Sequence, residues 1–330
     1  MILSYSVKRK VCAMGLFDIF KKPEVQISWE TTINSNTSYD PWAKTSKSRN
    51  DNYAIAAFIR MSERGATVGN SNDDYARYFN YEFGVYDPIK YHKRVIEDGF
   101  LVEASPDVAL EKLKVEQLKS ILSNAGLPTK GKKADLISQI IDNIDITSLN
   151  FPKYYIPSEK GMEHLKQYEY VFRLRDYGIS LEEYDEYRKI CADYLKPNDV
   201  IWQILNRRFN DYNMGERYGL ARNELLYMAK LLEYEGKRVD ALYHYTLVLY
   251  YDTSGCGNQV IGRTEEVIIA PAIIESIHRL KDNYDERIIN RCYDRYRLPH
   301  HFIARRNFEK LLFDIFEDKA IDIKNYIGKA

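Results

Sequence analysis

Two short amphipathic helical patterns separated by a turn occupy residues 113–141 and constrain the fold more than any other part of the chain. Apolar residues recur at helical spacing on both sides of the turn, at Leu118, Ile121, Leu122, Leu136, Ile137, Ile140 and Ile141. Gly126 stands where a left-handed C-cap ends a helix, Leu127 can fold back onto that helix, and Pro128 prevents it from continuing. The pattern predicts two helices that bury one apolar stripe each against the other.

The turn between the two predicted helices is rich in lysine. Between residues 114 and 133 the chain has five lysines and one acidic residue, Glu116. Lys130, Lys132 and Lys133 lie at the start of the second helix, where free backbone N–H groups and the helix dipole favour an anion. Gly131 would let a phosphate approach the backbone closely. The pattern predicts a phosphate-binding site; the alternative is that these lysines only solvate a turn.

This segment resembles the SAP domain, a module made of a helix, an extended turn and a second helix. The resemblance rests on matching residues at Leu113, Val115, Leu118, Leu122, Gly126, Leu127, Thr129, Gly131, Lys133, Leu136 and Ile137. Lys114 departs from the pattern because a capping Thr is usual there, although Gln117 keeps the far half of a capping box. Lys130 stands in place of a small hydroxyl residue and adds positive charge.

The resemblance implies weakly sequence-selective binding to duplex DNA, commonly AT-rich, through the turn and the start of the second helix. The candidate DNA-binding residues are accordingly Lys114, Lys119, Thr129, Lys130, Gly131, Lys132 and Lys133. The formal net charge of the whole chain is zero, so any affinity for nucleic acid has to come from such a local patch.

Length and cysteine content limit the class of protein to which the chain can belong. The 330 residues are 45% hydrophobic and 29% charged, which is enough for two or three globular domains. The four cysteines form no CxxC pair, which argues against a zinc finger and a disulfide framework and fits a reducing cytoplasm. Charged residues at 8–10 interrupt the first apolar stretch, so neither a signal peptide nor a membrane span is expected. Met14 is a second plausible start.

Composition shifts predict five segments along the chain. They are an N-terminal extension and flexible arm (1–51), a helical element (52–104), the SAP-like module (105–145), a linker (146–161) and a helical interaction domain (162–330). In the helical element, Asp87 is a predicted N-cap and Gly99 a helix end before an extended stretch, which is the outline of a winged helix. A possible second DNA surface there comprises Lys90, Lys93 and Arg94, next to His92. The alternative is that this element packs against the SAP-like module.

Residues 223–252 in the C-terminal domain resemble one tetratricopeptide repeat. Small residues at Ala229 and Ala241 suit the close crossing of two helices, and Gly236 marks the turn between them. A lone repeat cannot bury its own faces, so the flanking helices have to supply the rest of the core. The sequence therefore predicts an irregular helical domain with one repeat-like hairpin.

Motifs for catalysis are missing from the sequence. It contains no GxSxG elbow, no HExxH pair and no Walker-type phosphate loop, so no enzyme activity, metal or cofactor is expected. The sequence favours a mainly α, cytoplasmic DNA-binding accessory protein of a bacterium or a phage, with 162–330 binding a protein partner or a second copy. The competing hypothesis is an interaction scaffold or phage assembly component whose SAP-like module docks protein. A third, an undetected nuclease, ranks behind both.

Overall fold

The computed structural model describes residues 50–149, 151–257, 264–293 and 298–327, and within these ranges the chain is mainly helical, as predicted. The helices are α1 (Asp51–Ser62), α2 (Tyr78–Tyr81), α3 (Pro88–Glu97), α4 (Pro106–Lys112), α5 (Val115–Asn124), α6 (Lys133–Asn143), α7 (Glu159–Tyr168), α8 (Leu181–Ile190), α9 (Pro197–Met214), α10 (Tyr218–Tyr234), α11 (Arg238–Thr253), α12 (Pro271–Arg279), α13 (Arg287–Tyr293) and α14 (Arg305–Phe316). Two strands, β1 (Leu101–Glu103) and β2 (Tyr155–Pro157), pair antiparallel. Residues 1–49 of the arm predicted at 1–51, including the second start at Met14, lie outside the described residues, and Asp51 already belongs to α1.

An N-terminal core surrounds Phe58 of α1. The rings of Tyr75, Phe79 and His92 pack around Phe58 with centroid distances of 5.9, 4.4 and 5.4 Å. His92 is fully buried, and its Nδ1 lies 2.9 Å from the Tyr75 hydroxyl. Helix α7 packs across α1 and contributes Leu165 to the same core. This N-terminal core therefore combines residues from both sides of the SAP-like segment in the sequence.

The predicted linker at 146–161 is a place where the structure differs from the expectation. Leu101 pairs with Pro157 and Glu103 with Tyr155, so β2 completes a sheet with a strand about fifty residues earlier. Gly161, interpreted as a linker glycine, lies in α7 so close to the Phe100 carbonyl oxygen that a side chain would clash with it. Prolines and a glycine suggested a linker, whereas here they mark a short strand and a tight helix contact. The segment boundaries as such remain a prediction.

The C-terminal core is built around α11. Every residue from 241 to 253 is buried, because α10, α12 and α13 all pack against this helix. Ala229 and Ala241 are fully buried within this pair of helices, and Gly236 between α10 and α11 has φ +73°. The predicted hairpin at 223–252 thus corresponds to α10 and α11 in an irregular helical assembly. Its resemblance to a tetratricopeptide repeat remains a prediction.

Two groups of charged residues lie inside this helical assembly. Arg222 and Asp252 form a buried two-point ion pair, with Nε to Oδ1 at 2.8 Å and Nη2 to Oδ2 at 2.7 Å. Glu224 is also buried, 3.8 Å from the guanidinium of Arg208, which pairs with Glu183 as well. The Arg208 guanidinium therefore pairs with the carboxylates of both Glu183 and Glu224. Burial raises the pKa of Glu224 to about 7, which the nearby guanidinium only partly offsets.

Candidate nucleic-acid interface

Helices α4, α5 and α6 form a small module, residues 106–151, with its own hydrophobic core. The fully buried residues of that core are Leu110, Leu118, Leu122, Leu136 and Ile140. Four of these belong to the two predicted stripes, which confirms that α5 and α6 pack face to face. Ile141 is 45% exposed and does not join the core, so the second stripe is narrower than predicted. Leu110 shows that α4 is part of the module.

The turn between α5 and α6, residues 125–132 and here called the lysine turn, has the backbone geometry that its glycines predict. Gly126 has φ +72°, and the Leu127 N–H donates to the Leu122 carbonyl oxygen at 2.9 Å, closing α5 as expected. Gly131 has φ +145°, and a Cβ there would lie 3.0 Å from Cβ of Asp135. Any other residue would be strained at this position. The turn is therefore held in one shape by local contacts.

The N-terminus of α6 is partly satisfied within the chain. The Lys132 N–H donates to Oδ2 of Asp135 at 2.9 Å, and the first intrahelical bond runs from the Leu136 N–H to the Lys132 carbonyl oxygen at 3.1 Å. The backbone N–H groups of residues 133–135 precede that bond and face outward from the helix end. Gln117 accepts the Lys114 N–H at 2.9 Å in the same way, as the half capping box predicts. The carboxylate of Asp135 thus places a negative charge beside the lysines at the start of α6.

The structure places most of the predicted DNA-binding residues around the lysine turn. Lys114, Lys119, Lys130, Gly131 and Lys132 are exposed and Thr129 is half-buried. Lys133 is exposed too, but its ammonium donates to the Glu111 carbonyl oxygen at 2.7 Å and so connects α6 to the end of α4. The assignment of these residues to DNA contact remains a prediction.

Lys112 is a basic residue of this region that sequence reasoning missed. It is exposed and ends α4, directly after Glu111, whose carbonyl Lys133 contacts. Ser105 followed by Pro106 is typical of a helix start, so the sequence could have indicated that Lys112 belongs to a helix of the same module.

The possible second DNA surface on α3 is smaller than predicted. Lys90 and Lys93 are exposed, whereas Arg94 forms ion pairs with Asp51 and Asp98 and its guanidinium lies 4.9 Å from the Tyr91 ring centroid. His92, next to them in the sequence, is buried in the N-terminal core and presents nothing to solvent. Arg94 is paired with Asp51 because the start of α1 lies beside α3. Local sequence does not reveal this contact.

The two ends of the module meet at the sheet. The Ala104 N–H donates to the Tyr154 carbonyl oxygen at 2.8 Å, and the Lys153 ammonium pairs with the Glu103 carboxylate at 2.8 Å. The chain leaves β1, builds the module and returns in β2 directly beside its exit point. The module is therefore an insertion between two paired strands of the N-terminal core.

Neither a metal site nor a membrane-spanning helix is present among the described residues. Within the described ranges, no three His, Cys, Asp or Glu side chains are grouped so that they could hold a metal ion. Of the helices that the structure describes, none combines the length and apolar character needed to cross a membrane. Cys256 and Cys292 are buried free thiols.

Comparison with known families assigns the module. Residues 109–144 match the SAP domain, which covers α5, α6, the lysine turn and the end of α4. The SAP domain is generally a DNA-binding module, and this supports a DNA-binding role for the chain. Neither the curated proteins nor the solved structures include a significant match to the chain.

Proposed function

We propose that this protein binds duplex DNA through phosphate contacts of the lysine turn and the start of α6. The match of residues 109–144 to the SAP domain is the observation that carries the proposal. It is supported by the exposed positions of Lys119, Lys130 and Lys132. Lys130 and Lys132 lie at the start of α6, a helix end whose backbone N–H groups favour an anion, and Lys119 lies on α5.

Phosphate contacts of this kind position a protein on DNA without reading its sequence. The proposed site has no side chain placed to make a two-point hydrogen bond to a base edge, because Lys is a point charge. A preference for AT-rich duplexes would arise from the narrow minor groove of such sequences and its negative potential. Contacts of Lys119, Lys130 and Lys132 with about three phosphates would by themselves give weak binding, on the order of micromolar.

The C-terminal helices are proposed to bind a protein partner or a second copy of the chain. Ile190, Met214 and Ile268 are 74%, 80% and 78% exposed and are the positions at which substitution would test this proposal. An accessory protein in the cytoplasm of a bacterium, or one encoded by a phage, is the setting we propose, without an enzyme activity of its own. A scaffold whose module docks protein is the alternative outcome of the DNA-binding test.

The test is equilibrium binding of the full chain to a fluorescently labelled duplex, measured by anisotropy at 0.1 M salt. The variant replaces Lys119, Lys130 and Lys132 with Gln; Lys133 is retained because it holds α4. We expect the variant to bind more than a hundredfold more weakly, since each lost phosphate contact costs roughly tenfold at this salt concentration.

A matched control variant carries Lys189→Gln, Lys230→Gln and Arg306→Gln, three exposed positions in the helices that form the C-terminal core. It has the same net charge as the first variant and should bind like the wild type. Equal losses in both variants would point to a general charge effect and overturn the assignment to the lysine turn. A wild-type chain that binds no duplex would overturn the DNA-binding proposal itself.

A further inference from the structure

Helix α4 joins the module to the N-terminal core. One side of α4 buries Leu110 in the core of the module. Val108 and Lys112, one turn apart, face the loop after α1: a Cβ placed on Gly65 would lie 2.9 Å from Cγ1 of Val108 and 3.6 Å from Cε of Lys112. This loop is held in place, because Ala66 exchanges backbone hydrogen bonds of 3.0 and 2.8 Å with Tyr155 of β2. The contact between α4 and residues 64–66, here called the joint, is therefore packed on both sides.

Basic residues follow one another across this joint. Lys133 reaches the Glu111 carbonyl oxygen, Lys112 is the next residue of α4, and its side chain runs along the loop at Gly65. Arg64 directly precedes that glycine. Both Lys112 and Arg64 are exposed, and the side chain of neither forms a hydrogen bond or an ion pair with another described residue. The basic surface of the lysine turn therefore continues past the module.

The acidic residues around the joint leave this surface positive. Glu63 is paired with Arg60 at 3.3 Å, as Glu103 is with Lys153. Glu111, the acid nearest to Lys112 on α4, projects to another side of the helix, since successive residues are rotated by about 100°.

We propose that the DNA-contacting surface extends from the lysine turn across the end of α4 to the loop after α1, with Lys112 and Arg64 each contacting a backbone phosphate of the same duplex. This inference rests on the proposed function and adds a contact made by the N-terminal core. Because the joint is packed, the two basic residues keep a fixed position relative to the module. With these two contacts the protein should cover a longer stretch of DNA than the module alone.

The experiment measures how binding of the full chain to duplex DNA depends on salt concentration. The joint variant combines Arg64→Gln with Lys112→Met, which keeps the aliphatic contact with Gly65 and removes the charge. Each lost phosphate contact should make the log-log slope shallower by about 0.9 and weaken binding roughly tenfold at 0.1 M salt. A control variant, Lys189→Gln with Arg306→Gln, should keep the wild-type slope. If Lys112→Met destabilises the chain, Arg64→Gln alone should still give half of the change in slope. Lys112→Arg keeps the charge and should bind like the wild type.

The outcomes separate this inference from the function it rests on. A joint variant with a slope shallower by nearly two, beside an unchanged control, supports the extended surface. A joint variant with the wild-type slope, while the lysine-turn variant loses binding, overturns the extension and leaves DNA binding by the module in place. A wild-type chain that binds no duplex overturns both.

Discussion

The Lys133 ammonium donates a hydrogen bond to the backbone carbonyl oxygen of Glu111, with Nζ and O 2.7 Å apart. The last carbonyl groups of a helix have no partner within the helix, so this lysine satisfies one of them at the end of α4. The resemblance to the SAP domain assigned Lys133 to DNA contact. The structure shows that it also connects two helices of the module.

Removing this hydrogen bond should loosen the module even when DNA is absent. We expect Lys133→Met to destabilise the packing of α4 on α6 by about 1 kcal/mol, the usual contribution of one hydrogen bond. Lys130→Met, an exposed neighbour in the lysine turn, should change stability by less than about 0.5 kcal/mol. Native-state hydrogen exchange of the amides in 106–143 measures both. Equal exchange rates in the two variants would show that the contact contributes nothing to the module.

The insertion between β1 and β2 predicts that the module can be removed. If residues 105–153 are replaced by an Asn-Gly turn, Ala104 and Tyr154 should remain paired, because that dipeptide favours a two-residue hairpin. The shortened chain should unfold within a few degrees of the wild type, since the N-terminal core keeps its residues. Thermal unfolding by circular dichroism measures this. An unfolded or aggregated product would mean that the N-terminal core depends on the module.

Glu224 predicts a decrease of stability across the neutral range. Its pKa of about 7 in the folded chain exceeds the ordinary value of 4.5, so the folded state binds more protons between these pH values and the free energy of unfolding falls as pH rises through them. Glu224→Gln should remove this dependence and be more stable than the wild type at pH 8, by on the order of 2 kcal/mol.

The control for this prediction is Glu186→Gln, the same charge change at an exposed position of α8. Urea unfolding at pH 5 and pH 8 compares the three proteins. A wild-type protein and a Glu224→Gln variant that change in parallel with pH would contradict the assignment of the titration to Glu224.

The crossing of α10 and α11 predicts a large effect of charge at Ala241. This residue is fully buried where the two helices pack, so Ala241→Arg would place an unpaired guanidinium in the C-terminal core at a cost of several kcal/mol. Ala241→Ser, a small change at the same site, should cost much less. Thermal unfolding of the full chain measures both, and similar values for the two variants would show that the helices do not cross closely there.

The parts of the fold that the sequence predicted are those set by local periodicity and turn chemistry. Leu118, Leu122, Leu136 and Ile140 recur at helical spacing, and Gly126 ends α5 because its positive φ suits glycine. These signals act over a few residues, so they can be recognised in the sequence alone. The mainly helical fold and the two helices of the SAP domain follow from them.

What the sequence did not predict depends on contacts between distant residues. The partner of β2 lies about fifty residues earlier, and a strand of three residues that ends with Pro157 carries no periodicity of its own. Arg94 is paired with Asp51, and Lys133 contacts a backbone carbonyl of another helix. Such contacts determine which basic residues stay free for DNA, and only the folded chain reveals them.

Hydrogen–deuterium exchange of the full chain with and without a duplex tests most directly whether the lysine turn contacts DNA. We predict slower exchange on DNA binding for peptides covering residues 126–136, and unchanged exchange for peptides covering α10 and α11. Protection confined to the C-terminal helices, or binding that leaves 126–136 unprotected, would contradict the account.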